Sequence, residues 1–254
     1  MPSPPPTIIL SHTAFHQPAH YIHFCAALNE VGLTEYRIPQ LASSNPTPPK
    51  TDALAQDIAI LRKTIRSCLS SGRDVLLVAH GYGGVPLSDA VSGLGDVGGR
   101  KDARVLGVVF VAGVVASEGE GFGSAMGSGV AGWVRLEGDT CTAMNPEMTF
   151  YNTVASKELV EEAVDHIRPQ STTSLMSPLG QAGWTGFPCA YIKCTQDNAI
   201  FPKDQDHMVA KLQKQCEWKP TIVELASDHS PFLGCPQKVA GMLKRLVDEA
   251  DRAE

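Results

Sequence analysis

Residues 74–84 read Asp74-Val75-Leu76-Leu77-Val78-Ala79-His80-Gly81-Tyr82-Gly83-Gly84, and this stretch decides the fold. Positions 74–79 form a nearly continuous apolar run, the mark of a strand buried on both faces. Glycines at 81, 83 and 84 then force a tight turn, and a helical pattern sets in near Val85. Strand, glycine turn and helix together are the setting of a nucleophile elbow. Such a turn brings backbone segments close, so it needs small residues two before and two after the presented position. Ala79 and Gly83 satisfy that requirement. The residue presented should be Ser, Cys or Asp, but here it is Gly81.

Working outward, further strands are predicted over 7–10, 34–38, 104–112, 189–193 and 221–225. Helices are predicted over 19–29, 53–68, 204–215 and 236–250, with a Pro/Ser/Thr-rich loop over 39–49. Apolar strands separated by helices give an α/β class: a mostly parallel, doubly wound sheet flanked by helices. Residues 116–184 break the rhythm. They are Gly-rich at first, show one helical piece over 156–167 and have little strand character. The expectation is one core built from 1–115 and 185–254, with 116–184 inserted as a lid (cap) over a pocket.

Composition narrows the function. The 254 residues carry 21 Lys+Arg against 27 Asp+Glu, a formal net charge of -6, with 43% hydrophobic residues. Such a chain is expected to fold as a globular domain, and without a basic stripe it offers nucleic acid no electrostatic footprint. No apolar run reaches the ~18 residues of a membrane span. The first residues, Met1-Pro2-Ser3-Pro4-Pro5-Pro6, lack the basic and apolar regions of a secretory signal. Seven cysteines, an odd number, do not suggest a disulfide framework. A cytoplasmic setting with reduced thiols is therefore expected, and a homodimer is compatible with it.

Two further motifs bear on chemistry. Asp197 follows the strand 189–193, and His229 follows the strand 221–225, so both should reach the sheet edge that carries residue 81. Ligands bind at that edge, outside the carboxyl ends of the strands. A carboxylate on one imidazole nitrogen fixes the tautomer and leaves the other nitrogen for proton transfer. The order elbow, Asp197, His229 matches the Ser…Asp…His order of one known fold.

At this point the chain resembles the α/β-hydrolase fold superfamily, in particular the plant methyl-ester esterase and hydroxynitrile lyase group with its fungal relatives. The motifs that carry the likeness are Ile8-Ile9-Leu10-Ser11-His12-Thr13-Ala14 and Ala79-His80-Gly81-Tyr82-Gly83-Gly84. Cys194-Thr195-Gln196-Asp197-Asn198-Ala199-Ile200-Phe201-Pro202 and Ser227-Asp228-His229-Ser230-Pro231 complete the set, in order and along the whole chain. The resemblance implies catalytic Asp197 and His229, an oxyanion hole from the backbone N–H groups of Ala14 and Tyr82, and a Thr13 that contacts substrate oxygen. It departs from the group at Gly81, where the nucleophile serine is replaced. That replacement has three explanations: natural loss with retained Asp–His chemistry, a non-catalytic binding protein, or deliberate inactivation. Ser88, two helical turns into the next helix, and Ser230, in the turn after the histidine, do not supply the missing nucleophile.

His12, His16, His20 and His23 have the spacing of a metal face only if they share one helix, and Pro18 interrupts it. They read instead as a loop leading into a helix, with His12 beside the pocket and no metal. The glycines of 119–129 echo a dinucleotide loop but lack the strand–turn–helix context, so no cofactor is expected. His80, Trp133, Tyr151 and Ser230 join His12 and Thr13 as expected pocket residues, with Tyr151 the polar contact from the lid. Cys189, Cys194 and Cys216 read as core thiols. The expected activity is lyase, isomerase, dehydratase or cyclase chemistry on a small, fairly apolar molecule by His–Asp acid–base catalysis. The resemblance suggests fungal specialised metabolism as its setting. A hydrolase using His-activated water and a small-ligand receptor are the alternatives.

Overall fold

The computed structural model describes residues 5–47, 51–94, 103–126 and 132–252. Pro48 and Pro49 of the expected loop, and Gly127 and Gly129, lie outside the described residues. Strands β1 (Thr7–Ser11), β2 (Tyr36–Arg37), β3 (Val75–His80), β4 (Val105–Val111), β8 (Cys189–Cys194) and β9 (Thr221–Leu225) make the central sheet. Its order is β2-β1-β3-β4-β8-β9, and every neighbouring pair is parallel. The expected strand 34–38 shrinks to two residues at the sheet edge.

Alternation along the strands builds two cores. Ile9, Leu77, Ala79 and Phe110 face a layer made by α2 (Ala53–Ser70), α3 (Gly84–Ala90) and α8 (Pro202–Gln215). Ile8, Leu10, Leu76, Val78 and Val109 face α1 (Ile22–Glu30) and α10 (Pro236–Arg252) on the other side. The period-two pattern on both faces is why these strands read as unbroken apolar runs.

Between β4 and β8 the chain leaves the sheet and builds a cap. It holds α4 (Phe122–Ala125), α5 (Pro146–Phe150), α6 (Lys157–Asp165) and α7 (Thr172–Met176). Ser156 caps α6 by accepting the Leu159 N–H at 3.3 Å. The cap also contains a three-stranded antiparallel sheet, β5 (Val134–Glu137), β6 (Thr140–Ala143) and β7 (Gln170–Ser171), so the reading of little strand character was wrong. Its hairpin is led by Gly138 at φ 67°, a conformation glycine adopts freely. These strands escaped notice because β5 is largely exposed and β7 has two residues, leaving no apolar run to see.

Candidate active site

The site lies at the carboxyl end of the central sheet, where β1, β3, β8 and β9 each hand one residue to a common point. Gly81 follows β3 in the left-handed region, at φ 49°. The turn is as tight as the sequence required: a Cβ on Gly83 would stand 2.2 Å from the Ser11 carbonyl oxygen, and one on Gly84 2.1 Å from that of Val114. Only glycine permits those approaches.

The loops after β8 and β9 bring Asp197 and His229 together. His229 Nδ1 lies 2.8 Å from Asp197 Oδ2, with both side chains buried. Asp197 is held from all sides. Its Oδ1 accepts the N–H groups of Ala199 (2.7 Å) and Ile200 (2.9 Å), and its Oδ2 receives Gln205 Nε2 at 3.2 Å. Since the carboxylate accepts from Nδ1–H, Nε2 carries the lone pair. That nitrogen faces the space above Gly81, where a Cβ would lie 2.9 Å from it. The space is not the gap that a missing side chain would leave, because Thr13 Oγ1 occupies it, 2.0 Å from the same Cβ position. Thr13 Oγ1 lies 3.3 Å from His229 Nε2 and accepts the Tyr82 N–H, also at 3.3 Å.

His80 and His12 were expected on the pocket wall; His80 lines the small cavity shared by His16, Tyr151 and Ser230, and both rings are buried with both nitrogens engaged. His80 Nε2 donates to the His229 carbonyl at 2.7 Å, and Nδ1 accepts from the Tyr21 hydroxyl at 2.7 Å. The Tyr21 oxygen in turn accepts the Thr13 N–H at 3.3 Å. One hydrogen-bonded chain thus ties the Thr13 backbone, through Tyr21 and His80, to the His229 backbone. Burial, reinforced by the neighbouring His229, pushes the His80 pKa well below its ordinary value. His12 donates from Nδ1 to the Thr13 carbonyl (3.0 Å) and accepts the Leu41 N–H at Nε2 (3.1 Å). Burial lowers its pKa to about 4.

The other site residues fall around this point. Ala14 is buried beside Thr13, and its carbonyl accepts His16 Nδ1–H at 3.0 Å. The Tyr151 hydroxyl reaches down from the cap to His16 Nε2 at 3.0 Å, and the Ser230 hydroxyl approaches the same nitrogen at 3.5 Å. Trp133 packs edge-on against Phe15 and Phe150 and donates Nε1–H to the Ala199 carbonyl at 3.1 Å. Ser88 sits in the second turn of α3, with its hydroxyl on the Gly84 carbonyl at 2.6 Å. His20 Nε2 donates to the Ala163 carbonyl at 3.1 Å, and its ring lies 4.4 Å from that of His16. Among the described residues, no group of three His, Cys, Asp or Glu is arranged to hold a metal ion. None of the described helices is long and apolar enough to cross a membrane.

Sequence reasoning missed His16, Tyr21, Phe150 and Gln205. Tyr21 and Gln205 act through neighbours distant in sequence, and no local pattern marks them. Phe150, whose ring centroid lies 5.7 Å from that of His229, is one of several aromatic residues within 116–184, and its place in the sequence does not set it apart. His16 was visible in the histidine row, but its partner Tyr151 comes from the cap.

An alpha/beta hydrolase family model matches residues 8–242. The chain belongs to the alpha/beta hydrolase family. A "Probable hydrolase R7" from Phoma sp. is 26% identical over 247 residues, covering 95% of this chain and 98% of that one. "Methylesterase 17" of Arabidopsis thaliana is 26% identical over 192 residues, covering 66% of this chain and 64% of its own. Among solved structures, tomato methylketone synthase I complexed with 2-tridecanone superposes with a TM-score of 0.72 at 18% identity. That match covers 97% of this chain and 99% of the other. The alpha/beta hydrolase fold, with its cap, is thereby established, together with a low-identity relation to fungal and plant esterase-like hydrolases.

Proposed function

We propose that this alpha/beta hydrolase family member is an enzyme that moves a proton on a small, fairly apolar organic molecule, with His229 as acid–base and Asp197 as its orienting partner. The observation that carries the reading is the buried His229–Asp197 contact of 2.8 Å beside a turn whose presented residue, Gly81, has no side chain. Without an atom at residue 81 to form an acyl-enzyme there, the reaction is of the lyase, isomerase, dehydratase or cyclase kind. His229 Nε2 takes the proton, and Asp197 supports the imidazolium that results. The family likeness assigns the N–H groups of Tyr82 and Ala14 to negative charge on substrate oxygen, and here the Tyr82 N–H is given to Thr13 Oγ1.

An outer groove between α5 and α6 offers such a molecule apolar contacts from Met148, Val154, Val160 and Val164, together with charged Glu147, Lys157, Glu161 and Asp165. Tyr151 lines both this groove and the small cavity beside His16 and Ser230. The tomato relative's ligand, a long-chain ketone by its name, is of compatible character.

The test is product formation, followed by mass spectrometry, from a panel of small β-hydroxy ketones, cyclisable ketones and esters. Ligand affinity is measured in parallel by calorimetry. His229→Ala is expected to lower turnover by about 10²–10⁴ while leaving affinity largely intact. Unchanged turnover in His229→Ala overturns the mechanism. Binding without any conversion by the parent protein identifies a receptor instead, and conversion confined to the esters identifies a hydrolase.

A further inference from the structure

We propose that the Thr13 hydroxyl, delivered by the loop after β1, takes the place of the side chain missing after β3 and carries the proton between substrate and His229. The proposal rests on the reading of His229 as the base and names the atom through which that base acts. Thr13 Oγ1 stands 2.0 Å from where a Gly81 Cβ would lie, inside the volume an elbow side chain would fill. It lies 3.3 Å from His229 Nε2, whose other nitrogen is engaged by Asp197 at 2.8 Å. Because Nε2 holds the lone pair, the threonine donates and the imidazole accepts.

The third contact sets the polarity. The Tyr82 N–H points at the threonine oxygen from 3.3 Å, so it meets the negative charge that grows when the hydroxyl proton leaves. Thr13, Tyr82 and His229 are all buried, which keeps water from screening these interactions. The result is a hydroxyl–imidazole–carboxylate relay assembled from the ends of β1, β9 and β8.

In the forward step a substrate O–H or C–H proton passes to Thr13 Oγ1 as the threonine's own hydrogen passes to His229 Nε2. The electron pair of the broken bond stays on the substrate. Reversing both transfers protonates the product and restores the neutral relay, so no oxidant or co-reactant is consumed.

A hydroxyl relieved of its proton is also a nucleophile, and this gives a test that needs no natural substrate. With diisopropyl fluorophosphate, the Thr13 Oγ1–P bond forms, the P–F bond breaks, fluoride leaves and the proton goes to His229. Peptide mass mapping is expected to find the adduct on Thr13 in the parent protein and in Thr13→Ser, and none in Thr13→Val. His229→Ala should slow labelling at least about 10²-fold. Circular dichroism checks that each variant is folded, and the serine variant keeps the test valid if the valine variant is not. A parent protein that takes no label, or takes it on Ser230, overturns the role of Thr13 and leaves the turnover test of His229 standing. Labelling of Thr13 at an unchanged rate in His229→Ala overturns the base itself.

Discussion

The turn after β3 and the loops after β8 and β9 meet at one point but contribute different things. The turn contributes backbone: Gly81 at φ 49°, and Gly83 and Gly84 pressed against the carbonyls of Ser11 and Val114. The two loops contribute side chains: a carboxylate fixed by two backbone N–H groups, and an imidazole fixed by that carboxylate. An elbow geometry therefore persists here without an elbow nucleophile. The comparison teaches that the turn can keep its backbone geometry while the loops around it supply the side chains. An acyl-enzyme on the turn itself would need a side chain at residue 81, whereas the hydroxyl beside His229 comes from the loop after β1.

The largest effect should come from the loops. Asp197→Asn is expected to reduce turnover by about 10²–10⁴, no more than His229→Ala, because it disturbs the tautomer and the imidazolium while leaving the base in place. Product formation by mass spectrometry measures this, and a parent-like rate would mean that the carboxylate contact is structural only.

Next comes acid sensitivity beside the turn. His12 is neutral in the folded protein, with its pKa lowered from 6.5 to about 4 by burial. The unfolded chain binds the proton first, so the stability tied to His12 is intact above pH 6.5 and is lost as the pH falls toward 4. The loss is on the order of 3 kcal/mol. Urea unfolding at pH 7, 6 and 5 should show falling midpoints, with a shallower fall in His12→Gln. Parallel curves for the two proteins would contradict this assignment.

A smaller effect is expected from refilling the turn. Gly81→Ser places a Cβ 2.0 Å from Thr13 Oγ1, so it should destabilise the protein by about 1–3 kcal/mol. Combining it with Thr13→Ala should recover roughly 1 kcal/mol or more, because the two side chains compete for the same volume. Strict additivity in denaturant unfolding would show that they do not compete.

The smallest concerns the cap. Trp133→Phe keeps an edge-on ring against Phe15 and Phe150 but removes the donor to the Ala199 carbonyl, and a loss of about 0.5–1.5 kcal/mol is expected in thermal unfolding. A larger fall in turnover than in stability would tie the cap to the positioning of Asp197.

Much of this molecule was legible along the chain. The strands β1, β3, β4, β8 and β9 announced themselves because burial on both faces leaves unbroken apolar runs. Asp197 and His229 could be named because each directly follows such a run, and parallel strands deliver their following loops to one edge. Gly81 could be named because a strand, three glycines and a helix have few ways to connect.

What only the tertiary structure decided is the use of each polar group. His12 and His80 read along the chain only as residues near the pocket, and the tertiary structure engages both ring nitrogens of each in hydrogen bonds. The cap sheet was hidden because its strands are short and partly exposed. The loss of a side chain at residue 81 suggested an opening, yet Thr13, 68 positions earlier, fills it. Sequence periodicity reports which face of an element is apolar, and so it gives the sheet and the strand ends. Hydrogen-bond partnership depends on distances between residues far apart in the chain, which the packing of loops and cap alone sets.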